Sequence, residues 1–160
     1  MSTSTSAASS THDTFVITRM LAAPVSQVFR AWSDPARKAR WFGGSDGAGA
    51  DYELDFREGG HEVNRGGPPG GPVYTYRAHI LDIRVDERIV YTYEMHAGDD
   101  RISVSVATIQ FSGSGDLTEL VITEQGVYLD GLDNAAQREA GTHELLDALS
   151  RSLTADASTG

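Results

Sequence analysis

The longest one-sided pattern in the chain lies near its end. From Leu132 to Leu153, Leu132, Ala135, Ala136, Ala140, Leu145, Leu146, Leu149 and Leu153 recur at spacings of three and four. Gln137, Arg138, Glu139, Glu144, Asp147 and Arg151 fall mostly on the other side. This period predicts an amphipathic helix. Asp130 or Asp133 can cap its start, and Asp147 and Arg151, four apart, support each other on the exposed face. Upstream, the dominant period is that of strands. Thr14 to Leu21 reads as a strand with Phe15, Ile17 and Leu21 on one face and Val16 and Thr18 opposite. Pro24 opens a first short helix with Val25, Val28, Phe29 and Trp32 on one side, and Asp34-Pro35 starts a second that ends at Gly43-Gly44 before the loop SDGAGA.

Short alternating runs follow. Tyr52 to Arg57 and His61 to Asn64 flank a Glu58-Gly59-Gly60 turn, and the loop RGGPPGGP (Arg65 to Pro72) cannot continue a ladder. Val73 to Val85 and Arg88 to His96 read as long strands joined by a tight Asp86-Glu87 connection. Arg101 to Phe111 and Leu117 to Gln125 follow, with Gly126 ending the sheet. The order is one strand, two short helices, some six strands and one long helix. Consecutive hairpins make an antiparallel sheet, so the class is α+β, with a curved sheet of about six to seven strands wrapped on the C-terminal helix. The small residues Ala135, Ala136, Ala140 and Gly141 thin the first half of that helix, and a cavity is expected there.

Composition narrows the class further. The 160 residues suit one domain, here 14–153, with 1–13 (Ser/Thr/Ala-rich, lacking the basic start and apolar stretch of a signal peptide) as a disordered arm and 154–160 as a tail. There is no cysteine, which removes disulfides and thiol chemistry and fits a cytoplasmic location. A net charge of -10 argues against nucleic acid and anionic membranes as partners, and no apolar run approaches the ~20 residues of a membrane span.

Five segments in this order carry a resemblance: FVITRMLAAPVSQVFRAWSDPARKARWFGG, YELDFREGGHEVNRGGPPGG, VYTYRAHILDIRVDERIVYTYEM, LTELVITEQGVYLDG and REAGTHELLDAL. They resemble the helix-grip proteins of the START and Bet v 1-like superfamily (SRPBCC), in the branch named after activators of the Hsp90 ATPase (AHSA1-like). The resemblance implies a site for lipids, sterols, polyketides or other apolar molecules between sheet and helix. A minority of the superfamily are cyclases, hydrolases or lyases. The co-chaperone that gives the branch its name carries a further large domain, so an Hsp90-type partner is not expected. A homodimer through an edge strand or the glycine–proline loop is compatible with the family.

Several residues are candidates for the site. Glu124 shares a strand face with Leu120 and Ile122. If that face meets the helix, the carboxylate is enclosed, its pKa rises, and it can serve as acid or base; otherwise it is a solvated or paired strand-end group. Tyr74, Tyr76, Tyr91 and Tyr93 alternate on two neighbouring strands, as pocket wall or as cross-strand packing, and Met95 continues the second pair. Trp32 reads as core. Trp41 and Phe42 form either core or a lid. Of the histidines, His61 and Glu62 face opposite sides, His79 is undecided, and His143 can reach the pocket edge. None has metal-ligand spacing, so no metal and no cofactor is expected. The first reading is therefore binding of a small, largely apolar molecule by Trp41, Tyr76, Tyr93, Met95, Glu124, Ala140 and His143. The alternatives are a cyclase- or hydrolase-like enzyme using Glu124 and a partner-binding module.

Overall fold

The computed structural model describes residues 7–42 and 51–159. The expected Gly43-Gly44 stop, the SDGAGA loop and the first six residues of the N-terminal arm lie outside them. The elements are β1 (Ser10–Leu21), α1 (Val25–Ser33), α2 (Pro35–Phe42), β2 (Tyr52–Leu54), β3 (His61–Gly66), β4 (Tyr74–Arg84), β5 (Arg88–Ala97), β6 (Asp100–Ser114), β7 (Leu117–Leu129) and α3 (Ala135–Thr159). All strand pairings are antiparallel, in a seven-stranded sheet of order β1-β7-β6-β5-β4-β3-β2. The helices α1 and α2 carry the chain from one sheet edge to the other, and α3 packs on α2, α1 and β1. The class is α+β with a helix-grip layout.

The period-two pattern acts as the physics requires. Phe15, Ile17 and Leu21 of β1 are buried, as are Tyr91 and Tyr93 of β5 and Leu120, Ile122 and Glu124 of β7. In β4 the inward run Tyr76, Ala78, Ile80 breaks at a bulge between Ile80 and Asp82. The extra residue, Leu81, is left exposed, and Ile83 takes over the core side. His79 points outward. The rings of Phe29 and Phe111 meet edge to face at 5.3 Å, which anchors α1 on β6.

Helix starts follow capping chemistry. The Pro24 carbonyl accepts from the amides of Gln27 and Val28, placing proline at the cap itself. Asp34 Oδ1 accepts from the Ala36 amide at 3.0 Å, with Pro35 at the first helical position as expected. At α3 the cap is Asn134, whose Oδ1 accepts from the Gln137 amide at 2.9 Å, and neither Asp130 nor Asp133. Those two are engaged elsewhere. Asp130, at φ 55°, receives the Ser9 amide, and Asp133 pairs with Arg138.

Several boundaries differ from the sequence reading: β2 stops at Leu54, and Arg65 and Gly66, expected in the glycine–proline loop, continue the β3 ladder opposite Thr75 and Tyr74. Residues 10–13, expected in the arm, extend β1 because β7 continues through Gly126 to Leu129 and offers them a pairing edge. Gly126 does not end the sheet. It sits opposite Ser105 in the β6 ladder, where an added Cβ would stand 3.0 Å from Ser105 Oγ and 3.0 Å from Tyr128 Oη. The last helix begins at Ala135 and runs to Thr159, into the expected tail.

Candidate functional site

A cavity of about 280 Å³ lies between the first half of α3, the inner faces of β4, β5 and β7, and the end of α2. Its size is at the small end of the range for ligand sites. One side is aromatic. Trp32 and Trp41 meet at 4.8 Å, Phe42 packs on Trp41 at 5.8 Å and on Tyr76 at 5.0 Å, and Tyr76 lies 5.0 Å from Tyr93 with ring planes tilted by 39°. Leu145, Leu146 and Met95 complete the apolar lining.

The other end is polar. Tyr93 Oη donates to Glu124 Oε1 at 2.5 Å. Arg138, from the second turn of α3, donates through Nη1 to the same phenol oxygen at 2.9 Å and through Nη2 to Ser103 Oγ at 2.9 Å, and it forms an ion pair with Asp133. The guanidinium also lies over the rings of Tyr93 and Tyr128. Glu124 is 5% exposed. Burial pushes its pKa above the usual glutamate value, against the pull of the Tyr93 hydrogen bond and the Arg138 charge. Burial, and then the Glu124 charge, push the Tyr93 hydroxyl upward, so it stays a protonated donor.

A second buried charge cluster braces the aromatic side. Lys38 Nζ reaches Glu62 Oε2 at 2.8 Å, and both residues are 3% exposed. Tyr52 and Tyr76 donate their hydroxyls to the same carboxylate at 2.5 and 3.2 Å. The ammonium lies 4.3 Å from the ring centroid of Phe42 and 5.0 Å from that of Trp32. Tyr76 thus has its ring in the cavity wall and its hydroxyl in this cluster. Asn64 Nδ2 donates to the Phe42 carbonyl at 3.2 Å, which ties the end of α2 to β3.

Of the seven residues expected in the site, Trp41, Tyr76, Tyr93, Met95 and Glu124 line the cavity. Ala140 and His143 do not. Ala140 is exposed, and His143 turns outward to Arg19, with Nδ1 at 3.1 Å from Nη2. Tyr74 is also outside, 42% exposed at the strand start.

The pattern reading placed Gln137 and Arg138 on the outer face of the helix, yet both line the cavity. The usable signal was the phase of the buried leucines. Stepping back four and four from Leu146 gives Thr142 and Arg138. The alanines fit an apolar stripe by spacing because they are small and uncharged, but Ala136 and Ala140 face solvent. Lys38 and Glu62 were missed because a buried ion pair between a helix and a distant strand leaves no periodic trace.

An antiparallel sheet gripping a long C-terminal helix over a lined cavity defines the SRPBCC class, a ligand-binding type of domain. Within it, residues 22–154 match the family model "Activator of Hsp90 ATPase homolog 1-like protein", and the chain belongs to that family. A solved protein from Rhizobium leguminosarum is 43% identical, with a TM-score of 0.89 over 93% of this chain and 99% of that one. The Mll3558 protein from Rhizobium loti is also 43% identical, with a TM-score of 0.84 over 90% and 99%. CalU16 from Micromonospora echinospora shares the fold at 20% identity, with a TM-score of 0.63 over 96% and 90%. No curated protein matches the chain. Among the described residues no helix is long and apolar enough to cross a membrane.

Proposed function

We propose that this protein binds a small, largely apolar molecule in the cavity between α3 and the sheet. The observation that carries the reading is the cavity's division into an aromatic wall and one buried polar end, a combination suited to holding an apolar body and orienting it by a single polar group. Trp41, Tyr76, Tyr93 and Met95 contribute contact area, and Glu124 contributes a hydrogen bond. The cysteine-free composition supports a cytoplasmic location. Native mass spectrometry of protein purified from its own host tests the reading. The expected result is a reproducible extra mass that leaves on denaturation and is diminished in Tyr93→Ala and Glu124→Gln. Equal retention by both variants overturns it.

One observation favours a second reading, acid–base catalysis on a polyketide-like or ester substrate. Burial raises the Glu124 carboxyl above the usual glutamate value, the direction that a carboxylic acid–base group requires. Turnover that follows this titration and disappears in Glu124→Gln supports catalysis, and turnover that survives in that variant excludes it.

A further inference from the structure

The polarity of the hydrogen bonds at the polar end is fixed by the groups themselves. A guanidinium has donors only, so Arg138 Nη1 must give to Tyr93 Oη. The phenol proton is thereby directed to its other neighbour, Glu124 Oε1. That bond uses one carboxylate oxygen. The other, Oε2, accepts no hydrogen bond from any described residue, although Glu124 lines the cavity and is buried. A carboxylate oxygen with no protein donor, on a residue that lines a cavity, is open to a donor on a bound molecule.

Resting on the binding reading above, we propose that the cavity selects a hydroxylated aromatic molecule, whose phenolic O–H donates to Glu124 Oε2 while its rings lie against Tyr76, Tyr93 and Phe42. The ring geometry suits a flat body. Tyr76 and Tyr93 stand 5.0 Å apart and tilted, with Phe42 edge-on to Tyr76, which gives both a face and an edge for offset contact. A volume of about 280 Å³ limits the ligand to a small ring system. Because Tyr93 Oη already accepts from Arg138, and Arg138 is further held by Asp133 and Ser103, the free acceptor on Glu124 is the group in the triad left to read the ligand.

Three probes of nearly one shape test this: 2-naphthol (donor), 2-methoxynaphthalene (acceptor only) and naphthalene (neither). Calorimetric titration at pH 8 of the full chain is expected to show 2-naphthol binding about tenfold more tightly than 2-methoxynaphthalene, the scale of one net hydrogen bond. In Glu124→Gln the preference should vanish or reverse. Tyr93 must still donate to the amide oxygen, and the amide NH₂ then faces the cavity as a donor. Equal affinity of the three probes for the unmodified protein overturns the hydroxyl selection and leaves cavity binding intact. A 2-naphthol preference retained in Glu124→Gln overturns the assignment to Glu124. Failure of all three probes to bind overturns the binding reading together with this inference.

Discussion

Arg138 and Tyr93 are 45 positions apart in the chain and 2.9 Å apart in the fold, and the guanidinium lies over the ring whose hydroxyl it holds. The pair joins the helix to the middle of the sheet and closes the polar end of the cavity. Because the arginine is also bound to Asp133 and Ser103, its removal leaves a buried carboxylate without its cation. Arg138→Ala is expected to cost about 3–5 kcal/mol of stability. The check is urea denaturation, with Asp133→Asn,Arg138→Ala recovering part of the loss.

Lys38 and Glu62 make the same argument from the aromatic side. Lys38→Met leaves Glu62 buried without its cation, held only by the Tyr52 and Tyr76 hydroxyls, and should cost about 3–5 kcal/mol. Adding Glu62→Gln removes the uncompensated charge, so the double variant should recover most of that cost. A double variant no more stable than Lys38→Met would show that the rings, not the charge, dominate this cluster.

Glu124 makes stability depend on pH in a defined direction. Its folded pKa is raised by burial, so folding favours the protonated form. Below the unfolded value, about 4.3, the group is protonated in both states and adds no penalty. As pH rises from there through the raised folded value, the unfolded state ionises first and stability falls, levelling off above it. The stability of Glu124→Gln relative to the unmodified protein should therefore grow with pH across that window. Denaturation midpoints measured from about pH 4 to pH 8 check the slope; a difference that shrinks with pH contradicts the burial argument.

Gly141 lines the cavity, and a Cβ added there meets nothing within 4 Å. Gly141→Ala is expected to stabilise the helix by up to about 1 kcal/mol. Gly141→Leu should keep the fold while filling the cavity, lowering ligand affinity about tenfold or more. Thermal denaturation and probe titration on the same samples separate the two effects.

Gly126 is the opposite case. With Ser105 Oγ and Tyr128 Oη both 3.0 Å from an added Cβ, Gly126→Ala requires Ser105 and Tyr128, whose ring lies below Arg138, to give by a few tenths of an ångström. A loss of about 1–3 kcal/mol is expected, with weaker binding at the polar end, measured by chemical denaturation and titration.

The local codes of this chain were strong enough to be read directly. Alternation grouped Phe15 with Ile17, Tyr91 with Tyr93, and Leu120 with Ile122 and Glu124 on common strand faces, and the structure turns all three faces inward. Asp34-Pro35 announced α2, and the order of elements gave the helix-grip layout. Glu124 could be anticipated because it shares its parity with Leu120 and Ile122, a relation of two residues along one strand. What tertiary structure decided is everything that depends on a partner far away in the chain. Gly126 looked like a terminator, but the β6 and β1 edges kept it in the ladder. Arg138 looked like a surface charge until Tyr93, Ser103 and Asp133 supplied the acceptors that permit its burial. Ala140 and His143 looked like cavity residues until the buried phase of α3 turned them outward. Periodicity reports which face of an element is apolar; it cannot report that a charge on the inward face has found enough hydrogen bonds to stay there.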